Sequence, residues 1–80
     1  MINLREIKPS EQVFMLTSDV SGAYIIQCEV LFKQDGCVFV GTSTGAQVII
    51  DEDNKQDFFF SKYDCAKELH ARYNYQSYWN

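Results

Sequence analysis

The sequence predicts an α+β domain: an antiparallel meander of four to five strands, curved or half-barrel, with one C-terminal helix packed on it. Three observations carry this reading. Apolar residues alternate with period two in successive short segments between Val13 and Phe60. Turn formers separate those segments at SDVSG (Ser18 to Gly22), QDG (Gln34 to Gly36) and STG (Ser43 to Gly45). Only after Ser61 does the apolar spacing change to three and four residues, the period of a helix.

The chain of 80 residues is read as a single domain. It divides into an N-terminal segment (1–10), the meander (12–60), the helix (61–73) and an aromatic tail (74–80). In the first part, Pro9 disfavours helical geometry at Lys8, so an element ends there. Ile2, Leu4 and Ile7 are expected to dock as a short edge strand or turn. VFMLT, within Gln12 to Thr17, is apolar on both alternating sets at first, which predicts a strand with little solvent on either face. AYIIQCEVLFK (Ala23 to Lys33) is the clearest strand. Tyr24, Ile26, Cys28, Val30 and Phe32 make an apolar face, and Ile25, Gln27, Glu29, Leu31 and Lys33 make a mixed one. Eleven residues is long for a strand, so a bend or bulge is expected inside it.

Asp-Gly in QDG predicts a tight hairpin turn. CVFVGT returns, and AQVIID follows with Ala46, Val48 and Ile50 alternating against Gln47, Ile49 and Asp51. FFF is the expected last strand, burying Phe58 and Phe60 on one face and turning Phe59 to the other. Ser61, with Asp64 three residues on, makes a capping-box-like start. Cys65, Ala66, Leu69 and Tyr73 form the apolar stripe of the helix. Asn74 is a candidate for its left-handed end.

Composition bounds the function. Lys and Arg number seven against eleven Asp and Glu, a net charge of −4. Non-specific nucleic-acid binding needs a basic face to displace phosphate counterions, so direct nucleic-acid contact is not expected. A basic protein surface suits this charge better. Cys28, Cys37 and Cys65 are odd in number and widely spaced, which argues for free thiols in a reducing cytosol over a disulfide or zinc framework. No apolar run follows the basic residues of MINLREIKPSEQ, so no signal peptide is expected. The longest apolar runs are four residues, far short of a membrane span.

No residue constellation points to catalysis. Cys65 and His70 are separated by five residues, a net turn of about 140° on a helix, so they face different sides and cannot form a nucleophile–base pair. Asp51, Glu52, Asp53 and Asp57 suggest a calcium loop, but Gln56 and Lys62 stand where an EF-hand requires glycine and glutamate. A solvated loop or an acidic contact for a basic partner remains. VGTSTG lacks the lysine of a phosphate-binding loop and reads as a turn. Neither cofactor nor metal is expected. The tail brings together Tyr73, Tyr75, Tyr78 and Trp79, residue types favoured at interface hot spots. They either complete the thin core of a small domain or form a contact surface. The candidate partner-binding residues are therefore Asp51, Glu52, Asp53, Asp57, Phe59, Tyr75, Tyr78 and Trp79.

DFFFSKYDCAKEL (Asp57 to Leu69) resembles a recurring ending of small phage and prophage proteins, a short aromatic strand followed by a Ser or Thr cap and a helix. In size, acidity and aromatic density the chain is similar to phage-encoded anti-defence proteins, the anti-CRISPR proteins among them. That resemblance implies a non-catalytic inhibitor that binds a host protein or ribonucleoprotein complex in the host cytoplasm. The alternative is a self-associating accessory subunit, most simply a homodimer, which the thin core and the surplus of aromatic rings would suit. A thiol-dependent enzyme rests only on the presence of Cys28, Cys37 and Cys65.

Overall fold

In the computed structural model, residues 2–74 are described, with side chains through Tyr73. Five strands form one open antiparallel sheet: β1 (Gln12–Asp19), β2 (Gly22–Gln34), β3 (Cys37–Thr42), β4 (Gln47–Ile50) and β5 (Phe58–Phe59). Their spatial order is β4-β3-β2-β1-β5. The first four strands are the expected meander. The chain then crosses from one edge to the other, and β5 pairs with β1, Phe14 opposite Phe59 and Met15 opposite Phe58. A helix, α1 (Lys62–Leu69), follows and continues as a wider π-helical turn over His70–Asn74.

Local chemistry explains the joints. Asp35 and Gly36 both have positive φ (54° and 79°), the pairing that a two-residue type I′ hairpin demands. Ser61 accepts a hydrogen bond from the Asp64 backbone N–H through its Oγ at 3.0 Å, capping α1 as its sequence predicts. At the other end of the helix Arg72 forks. Its Nη1 lies 2.7 Å from Asp57 Oδ1, its Nε 2.8 Å from Glu68 Oε2, and its Nη2 donates to the Gln56 carbonyl at 3.0 Å. This ties the helix end to the start of β5. The two carboxylates hold the Arg72 guanidinium more firmly protonated than an isolated one.

The sheet is buried on both faces, unequally. On one face Val13, Cys28, Val30, Val38, Val40, Ile50 and Phe58 form the main core, closed by Ile2, Leu4 and Ile7. The N-terminal segment is therefore a lid rather than an edge strand. Asn3 caps a single 3₁₀ turn, Leu4–Glu6, by accepting from the Arg5 N–H. Ser10 N–H then donates to the Val30 carbonyl and Val30 N–H to that of Glu11, which ties the lid to β2. On the other face α1 covers only the β5–β1–β2 side. Leu16, Phe59 and Cys65 are buried there, with Phe14, Ile25, Leu69 and Tyr73 packed around them.

Two sequence expectations change. Phe58 is buried in the main core, but Phe60 is 40% exposed. β5 stops after two residues and the chain bends at Phe60 to enter the helix, so alternation does not extend that far. Phe32 also leaves the face it was assigned. The register of β2 against β3 slips between Val30 and Phe32, and a bulge of this kind reverses the side-chain alternation beyond it. Phe32 pairs with Phe39, on the face opposite Val30 and Val40, and Lys33 moves to the core side, where its Nζ reaches the Arg5 carbonyl at 3.5 Å. A bulge in this strand is expected from its length; its consequence for Phe32 is not.

Candidate functional site

The bulge assembles an apolar strip that nothing among the described residues covers. Phe32, Phe39 and Ile49 are direct cross-strand neighbours on β2, β3 and β4. Leu31 bends over Gly41, its Cδ1 lying 3.6 Å from where a β-carbon would stand. Gly41 thus gives Leu31 room by lacking a side chain. The Phe32 and Phe39 rings stack, with centroids 4.5 Å apart and planes inclined by 12°. Leu31, Phe32 and Ile49 are 46%, 43% and 44% exposed, and Phe39 is half-buried beneath them. Apolar side chains of this size, contiguous on one sheet face, mark an interaction surface more often than scattered exposed leucines do.

The polar surroundings follow from register. Glu29, Gly41 and Gln47 form the next row on the same face. Gln34 and Cys37 form the row on the other side, ending at the Asp35–Gly36 turn. Glu29 and Asp35 are both exposed. The rows beside the strip therefore carry acids and amides but no lysine or arginine.

The acidic residues singled out in the sequence do not gather into one patch. Asp51 Oδ1 accepts from the backbone N–H groups of Asp53 and Asn54 at 2.9 and 3.1 Å, so its carboxylate shapes the loop. Glu52 pairs with Lys55 at 2.6 Å and borders a depression with Ile2, Asn3 and Arg5, on the lid side of the sheet. Asp57 is held by Arg72. Asp53 remains exposed. Phe59, proposed from sequence as a contact, is 7% exposed and packs under α1. Tyr75, Tyr78 and Trp79 lie outside the described residues. Of the sequence-derived contact residues, only Asp53 is thus free on the surface among those described. Sequence periodicity does not show the strip, because its members come from three strands and one of them reverses at a bulge. The alternation of Ile49 against Ile50 was the readable signal, since it leaves a large aliphatic residue on the sheet's non-core face.

The thiols divide in the same way. Cys28 and Cys65 are buried on opposite sides of β2, and burial pushes each from the ordinary value of 9.0 up to about 11. Cys37 is partly exposed, on the row beside the strip. Ellman's reagent at pH 8 is therefore expected to titrate one thiol rapidly in the folded chain and all three in urea. Three fast thiols in the folded protein would contradict this packing. The sign of the pH dependence also follows. The folded-state values lie above the unfolded one, so the stabilisation is complete below pH 9 and is lost as pH rises from 9 towards 11. Each thiol should lower stability by about 1 kcal/mol per pH unit in that window. Urea melts from pH 8 to pH 10.5 check it: the wild type should lose this increment, and the Cys28→Ala/Cys65→Ala chain should have a flatter profile.

His70 is exposed while Cys65 is buried, so the two do not form a nucleophile–base pair. No group of three or more His, Cys, Asp or Glu side chains suited to a metal occurs among the described residues. No helix among them is long and apolar enough to cross a membrane. Comparison with protein-family models, curated proteins and solved structures gives no match.

Proposed function

We propose that this chain is a non-catalytic binding protein, and that the strip of Leu31, Phe32, Phe39 and Ile49 is the surface through which it holds another protein. The observation that carries this reading is the strip itself, an apolar row that the described residues leave open on the part of the sheet face α1 does not reach. Its acidic surroundings and the net charge of −4 favour a partner with a basic surface. The resemblance to phage anti-defence proteins supplies the partner class to try first. The chain would act as a phage-encoded inhibitor in the host cytoplasm and block a host nuclease or ribonucleoprotein complex by occupying a basic protein face.

The test compares affinity-tagged wild type with the Phe32→Ser/Phe39→Ser double variant, both first confirmed to melt cooperatively. Host proteins retained by each are quantified by mass spectrometry, and the strongest is re-measured as a purified pair. The expected result is one dominant partner whose affinity falls at least about tenfold in the variant, the scale of a lost aromatic hot spot. Equal affinity of the two chains for the purified partner would remove the strip from the interface.

A further inference from the structure

Resting on the binding reading above, we infer that the strip's occupant is a basic amphipathic helix of the partner, laid across the face of the sheet.

The mode follows from what the edges leave open. On the outer edge of β4, the Asn54 carboxamide already takes two groups a new strand would need. Its Nδ2 donates to the Ile49 carbonyl at 2.8 Å, and its Oδ1 accepts from the Asp51 N–H at 2.8 Å. Strand addition at this edge must compete with these bonds beyond Gln47. The opposite edge, β5, is two residues long and turns at once into α1. An occupant of the strip, whose side chains stand on the sheet face of β2, β3 and β4, therefore meets it from that face.

The size of the row suits a helix. Phe32, Phe39 and Ile49 sit side by side on three adjacent strands, so the row spans about 10 Å at ordinary strand spacing. Helix positions i, i+3 or i+4, and i+7 span about 10.5 Å, which seats one apolar ridge on the whole row. Cations flanking that ridge would meet Glu29 on one side and Asp35 on the other. Lys33, the nearest cation in sequence, points to the lid side and offers no repulsion.

One other occupant fits less well. A second copy would place two acidic rims, Glu29 and Asp35, against their own kind.

The probe is a synthetic 18-residue leucine–lysine helix with leucines on one face, alongside its leucine–glutamate counterpart. Binding to the full chain is followed by NMR shift mapping and fluorescence anisotropy. The lysine peptide is expected to bind with the largest shifts at Leu31, Phe32, Phe39 and Ile49, to weaken with added salt, and to lose about tenfold in affinity with Phe39→Ser. Glu29→Gln/Asp35→Asn should weaken it about threefold, and the glutamate peptide should not bind. Shifts centred elsewhere, or equal binding of both peptides, would overturn the inference. So would a strip-dependent dimer of the wild type in sedimentation that Phe39→Ser abolishes. If the purified partner still depends on Phe32 and Phe39 while the lysine peptide ignores them, the helical occupant falls and the binding reading stands.

Discussion

Replacing Phe58 by alanine is expected to remove a large share of the chain's folding stability. Phe58 is the largest side chain closed into the main core, and it belongs to a strand only two residues long. Emptying such a site costs about 3–5 kcal/mol. A domain of 80 residues has about 4–12 kcal/mol of stability to lose. Phe60→Ala, two positions on, should cost about 1 kcal/mol or less, because the ring is already partly in water. Urea melts of the two variants separate the observed two-residue strand from one that alternates through all of FFF. A larger loss for Phe60→Ala would mean that the chain does not bend where the structure places the bend.

The second large effect concerns the lid. A chain lacking residues 1–8 loses Ile2, Leu4 and Ile7, each buried against the main core. Burial of three such aliphatic side chains is worth about 5–9 kcal/mol, most of what a domain this small possesses. Removing them would also open Val13, Val30, Val38 and Val40 to water. The truncated chain is expected to keep strand-rich far-ultraviolet dichroism at most in part, to bind hydrophobic dyes, and to lose its cooperative melt. A sharp two-state transition within about 2 kcal/mol of wild type would show that the segment is not part of the core.

The sequence carried the architecture well, for identifiable reasons. Two-residue periodicity between turn formers marks strands wherever one face is drier than the other, and β1 through β4 satisfy that condition. Ser61 and the Cys65, Ala66, Leu69 stripe mark a capped helix by elementary hydrogen bonding and geometry. What escaped was non-local. Whether β5 sits beside β4 or beside β1 depends on the crossover from Asp51 to Asp57, which no periodicity describes. Ile2, Leu4 and Ile7 resemble a strand fragment in sequence, yet their spacing also fits a single turn lying over a core.

The candidate site was less legible still. Four acids close in sequence suggested a patch, but Asp51 turns its oxygen to the loop's own backbone, Glu52 takes Lys55, and Asp57 takes Arg72. The proposed contact surface instead comes from the bulge between Val30 and Phe32. One slip in register moves a phenylalanine from the core side to the open face, where it meets Phe39 and Ile49. Alternation read straight through the strand hides that event, because it assigns Phe32 to the buried set.

In the proposed binding mode, Leu31, Phe32, Phe39 and Ile49 are covered when the partner binds. Hydroxyl-radical footprinting of the purified complex reads this directly, since it reports the accessibility of individual side chains. Oxidation of Leu31, Phe32, Phe39 and Ile49 should fall several-fold on binding, and alkylation of Cys37, on the neighbouring row, should slow with it. Phe60 and Tyr63, exposed by the start of α1, should react as they do in the free chain. Protection of Phe60 and Tyr63 with the strip left reactive would place the partner at the start of α1 and remove the strip from the interface.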